Sequence, residues 1–61
     1  MSKLEQKIVM EYVGEFVNGA KNVFVRIEFI DAVFSCCETL GIRLGYGALS
    51  EDNTMKVLYV W

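Results

Sequence analysis

Three carboxylates recur along one short stretch of this chain. Within IEFIDAVFSCCETL, Ile27 to Leu40, the residues Glu28, Asp31, Ser35 and Glu38 follow at intervals of three, four and three. That spacing puts them on one face of a helix. Paired carboxylates are the raw material of general acid–base catalysis, but the chemistry needs burial or a cleft to drive their pKa values apart. An open helical stripe supplies neither, so the three acids read as a solvated face or as a docking surface for a basic partner. Two thiols, Cys36 and Cys37, lie in the same stretch. A reactive thiol wants an electropositive setting, whereas the neighbouring acids Asp31 and Glu38 dull it. Cys37 is expected to be a small core residue, with Cys36 at the core boundary.

The remaining chemical inventory is thin. The chain has no histidine, the commonest general acid–base group. Ser35 and Ser50 lie outside any G-x-S-x-G pattern. Gly45-Tyr46-Gly47 lacks the third glycine and the Lys-Ser/Thr of phosphate-binding loops, and reads as a turn. Glu51, Asp52 and Asn53 lack the spaced oxygens and central glycine of a calcium loop. Adjacent cysteines do not complete a four-ligand zinc site. The sequence therefore predicts no catalytic residue, no cofactor, no metal and no enzyme.

The elements that must position these residues can be read in order. Ser2 followed by Glu5 is a capping-box pattern that opens a first helix. Leu4, Ile8, Val9, Tyr12, Val13, Phe16 and Val17 form its broad apolar face, and Asn18-Gly19 ends it. Gly14, on its polar side, costs about 1 kcal/mol relative to alanine. Residues 21–26, KNVFVR, alternate as a short strand that runs straight into the helix 27–40, with Ile27, Ile30, Phe34, Cys37 and Leu40 on its apolar side. Gly41 closes that helix. Ile42-Arg43-Leu44 reads as another short strand. Thr54 to Trp61 is the clearest strand of all, with Met55, Val57, Tyr59 and Trp61 on one side and Lys56, Leu58 and Val60 on the other. The order α-β-α-β-β predicts one α+β domain over 1–61, with two helices packed on one face of a small sheet and a C-terminal β-hairpin.

Size sharpens the functional expectation. A chain of 61 residues buries only roughly 60% of its unfolded surface and draws about 3–5 kcal/mol from its core. With disulfide and metal set aside, self-association or a partner is the remaining support, and a homodimer is expected. The hydrophobic fraction of 54% exceeds the usual globular range of about 45–50% and points the same way. No apolar run reaches the length of about 18 residues that suits a bilayer, and the opening residues lack a secretory pattern. A cytoplasmic protein with reduced thiols is expected.

The basic residues cluster on the strands. Alternation is taken to place Arg26, Arg43 and Lys56 on an exposed sheet face with Phe24, Leu58 and Val60. Such a face is a weak candidate for single-stranded nucleic acid. The preferred expectation is a non-enzymatic interaction module that binds, and inhibits or modulates, a protein with a basic surface. Glu28, Asp31 and Glu38 would supply orientation, and Phe24 and Tyr46 the anchors. In bulk properties the chain falls in the size class of small phage- or plasmid-encoded inhibitors such as anti-CRISPR proteins, a comparison that transfers no residues. A nucleic-acid module using Phe24, Arg26, Arg43 and Lys56, or a self-assembling structural subunit, is the alternative.

Overall fold

A computed structural model describes residues 2–61. In chain order they form α1 (Lys3–Val17), β1 (Asn22–Arg26), a 3-10 turn (Ile27–Phe29), α2 (Ile30–Thr39), β2 (Leu44–Leu49) and β3 (Met55–Val60). The predicted α+β order and C-terminal hairpin are observed. The capping box is there in full: Ser2 Oγ accepts from the Glu5 N–H at 3.2 Å, and Glu5 Oε1 accepts from the Ser2 N–H at 3.0 Å. The bond from the Ser2 backbone, with that from its hydroxyl, lowers the Glu5 carboxyl below its ordinary pKa.

Both helices stop by the same device. Gly19 and Gly41 adopt φ of +103° and +83°, the left-handed region that costs a side-chain-bearing residue most. Each lets two N–H groups turn back onto the last carbonyls. Gly19 and Ala20 donate to Phe16 and Glu15, and Gly41 and Ile42 donate to Glu38 and Cys37. This is the paired bonding of a Schellman motif. The glycines foreseen as stops are stops for a stated backbone reason.

The second helix departs from expectation at its start. Ile27–Phe29 winds as a 3-10 turn, so Glu28 belongs to a tighter coil than Asp31 and Glu38. The buried stripe of α2 is Ile30, Val33 and Cys37, with Phe29 just before it. Val33 and Phe29, outside the expected apolar side, are thus core residues, while Ile27 and Leu40, expected on it, are exposed. Against this stripe pack Val9, Val13 and Phe16 of α1, and Val25, Leu44 and Leu58 of the sheet.

The sheet has the order β1-β3-β2, antiparallel throughout, so the last strand is the central one. Register decides which residues share a side, because directly paired residues of neighbouring strands point the same way. Val23 pairs with Leu58 and Val25 with Lys56, and these face the helices. Asn22 pairs with Tyr59, Phe24 with Val57 and Arg26 with Met55, and these face away. Leu58 is 0% exposed, which reverses its expected place on the open face; Lys56 turns to the helix side with it. The division of β3 into two sides was legible, but its orientation was not.

A second correction falls on Gly45-Tyr46-Gly47. These residues are strand, not turn. An alanine Cβ at Gly45 would lie 2.5 Å from Tyr59 Cζ, and one at Gly47 would lie 3.1 Å from Val57 Cβ. The glycines clear room for side chains of β3 that lean across β2. A register shift between Tyr46 and Leu49 marks a bulge. The turn itself is Ser50–Thr54, where Asn53 takes φ +61°. There Asp52 Oδ1 accepts from the Ser50 and Thr54 hydroxyls, each at 2.7 Å, and these bonds hold its pKa below the usual aspartate value.

Candidate functional site

On the helix side of the sheet, at its β2 edge, three side chains stack. Phe34 of α2 lies on Tyr46 of β2, ring centroids 5.1 Å apart and planes 12° from parallel. Lys56 of β3 places Nζ 5.2 Å from the Tyr46 centroid, within cation–π range. Tyr46 nevertheless stays 51% exposed. Phe34 lies three residues after Asp31 and four before Glu38, so on α2 it has an acid on either side along one face. Both acids are exposed. Glu38 also shares a hollow with Phe34, Ile42, Arg43 and Leu44, which sets one cation beside the acidic edge.

The structure does not bring all the predicted contact residues together. Glu28 is engaged by its own chain: Arg26 Nε donates to Glu28 Oε1 at 2.8 Å, and the pairing raises the guanidinium pKa above its ordinary value. Asp31 and Glu38 remain as the acids of α2. Phe24, 54% exposed, points away from the helices and lies on the opposite side of the sheet from Tyr46. The alternative basic face is divided as well. Phe24 and Arg26 face outward, while Lys56 is turned to the helix side and committed to Tyr46.

The outward face has its own character. Met55, Val57 and Tyr59 run down its centre on β3, with Phe24 beside them on β1 and bare glycine backbone on β2. Trp61, just past β3, is 74% exposed, and its N–H donates to the Arg43 carbonyl at 3.2 Å. No carboxylate lies on the outward side of the three strands. Sequence reasoning passed over this set because it took the other side of β3 to be the open one. The signal was present in the size of Leu58's neighbours: V-F-V and V-L-Y-V-W each have two apolar faces, and only register says which is covered.

Cys36 and Cys37 are both free. Cys37 is fully buried, and burial, with some help from the adjacent Cys36, pushes its pKa up. Among the described residues no group of three His, Cys, Asp or Glu side chains could hold a metal ion, and no helix is long and apolar enough to cross a membrane. No protein-family profile matches this sequence, and no curated protein or solved structure is significantly similar to it.

Proposed function

We propose that this chain is a small non-enzymatic interaction module that docks through its α2–β2 side onto a basic protein surface and blocks or modulates that protein. The observation that carries the reading is the Phe34–Tyr46 stack set between Asp31 and Glu38. An exposed aromatic ring already held in place loses little conformational freedom on binding, which is what makes such rings effective anchors. Carboxylates around it add orientation and association rate more than affinity. A surface that already presents Lys and Arg, such as the nucleic-acid groove of another protein, offers the complementary charges.

The test is a comparison of captured proteins. Tagged wild-type chain, the Tyr46→Ala variant and the Asp31→Lys/Glu38→Lys double variant are passed through the same cell extract, and retained protein is released by rising salt. A basic protein held by wild type, lost from both variants and rebound when purified, supports the reading. Tyr46→Ala should weaken that binding by about 2 kcal/mol, and the charge reversal should act mainly on the association rate at low salt. The same protein retained equally by all three overturns it.

A further inference from the structure

We infer that the outward face of the sheet is the docking site for a second copy of this chain, the two sheets packing face to face about a two-fold axis parallel to β3. The inference concerns the side of the sheet away from Tyr46 and does not rest on the docking role proposed for α2.

The relief of the face is the main argument. Its two flanking strands differ: β1 raises Phe24 above the face, whereas β2 has Gly45 and Gly47 there, with the Tyr59 and Val57 side chains of β3 leaning across them. Phe24 and Gly47 lie at one level along the strands. Phe24 is the register partner of Val57, and Gly47 is the glycine whose missing Cβ leaves room for Val57. A two-fold axis along β3 exchanges left for right and keeps each level unchanged. It therefore carries Phe24 of each copy over Gly47 of the other. Each ring then rests on the low side of the other copy's face, against the Val57 side chain that leans over Gly47, the self-complementarity that an isologous interface requires. A two-fold axis across the strands instead sets Phe24 against Phe24, high side on high side, and the glycine-bearing strand against its own copy, low side on low side.

Charge acts at both ends of this arrangement. Arg26, whose Nε is held by Glu28, is level with Met55, at the end where β2 and β3 join through Ser50–Thr54. The rotation brings it over that loop in the other copy, where Glu51 and Asp52 are exposed. At the opposite end Arg43 comes over the corner before β1, where Lys21 is exposed, a like-charge approach that offsets part of that gain and is screened by salt.

Area is sufficient. The backbone measures 29 × 29 × 16 Å, a slab with one broad side covered by helices and the other open. Its accessible surface of 4334 Å² exceeds the roughly 4,000 Å² expected of a compact monomer of this mass. A broad side of these dimensions is of the order of the ~800 Å² per partner in a stable interface. Sheets closed in this way lie about 10 Å apart with interdigitated inner faces, giving four layers with both α2 surfaces outermost.

Sedimentation equilibrium over a concentration series, with wild type and Phe24→Asp, gives the first reading. Wild type should reach twice the mass of one chain. Phe24→Asp should stay at single mass while its far-UV circular dichroism is unchanged, since the substituted ring is exposed in the monomer. The orientation is read on the unmodified protein by isotope-filtered NOE in a mixture of labelled and unlabelled chains. Contacts should join the Phe24 ring of one chain to the Gly47 Hα of the other, so a Phe24→Asp chain that failed to fold would not prevent a decision. Single mass for wild type up to about 1 mM, a range in which only the weakest associations are missed, overturns the proposal. A dimer undisturbed by Phe24→Asp, or one showing Phe24–Phe24 contacts, also overturns it. So does a monomer whose Trp61 fluorescence titrates saturably with an oligothymidylate, because the face would then belong to a nucleic acid strand.

Discussion

Tyr46 and Phe24 are almost equally exposed, at 51% and 54%, and they sit in opposite circumstances. Tyr46 is clasped between Phe34 and Lys56 on the helix side of the sheet. Phe24 stands on the outward side beside Val57, with bare glycine backbone on the far strand. One ring is tied into the monomer's own structure by two side-chain contacts, even though half of it is exposed. The other contributes area that the monomer does not use. Fractional exposure alone assigns them the same meaning; what surrounds them does not.

The contrast between the two sides is sharpest on β3. Leu58→Ala removes a fully buried core side chain and should cost about 2–5 kcal/mol in urea denaturation. Val57→Ala, one residue away and facing outward, should cost under about 1 kcal/mol in dilute protein and more as concentration rises. Equal costs at high dilution would show that the outward face is already part of the monomer's core. At the next level, Tyr46→Ala should destabilise the dilute monomer by about 1–2 kcal/mol through loss of the aromatic stack and the cation above it. Phe24→Ala should stay within about 0.5 kcal/mol under the same conditions. The smallest effects come from two glycines and should differ in sign. Gly14 has open space where a Cβ would go, so Gly14→Ala should stabilise by up to about 1 kcal/mol. Gly45→Ala pushes the Tyr59 ring off β2 and should cost up to about 1 kcal/mol. Thermal melts of the two variants read both.

Local chemistry made much of this fold legible. Ser2 and Glu5 cap one helix, Gly19 and Gly41 end both, and alternation divides β3 correctly into two sides. These are features a few residues settle among themselves. The misreadings are those that need a distant neighbour. Whether Leu58 or Val57 faces the helices depends on the pairing of β3 with β1, more than thirty residues earlier. Gly45 and Gly47 look like turn residues until Tyr59 and Val57 are laid across them. The site followed the same rule in part. Asp31 and Glu38 were placed by helical spacing alone, but nothing local to Phe34 announces Tyr46. Glu28 is the exception: Arg26, only two residues away, takes it out of the stripe through the 3-10 turn that helical spacing does not foresee.

The bulge between Tyr46 and Leu49 bears on a hazard of sheets this small. Both outer strands end in unpaired backbone groups, and an unbroken row of such groups is a template on which further chains can add and grow into fibres. The irregularity interrupts that row on β2, and β1 is only five residues long with Arg26 at one end. Growth in the plane of the sheet is therefore discouraged at both margins, even though one broad side of the sheet is apolar and open.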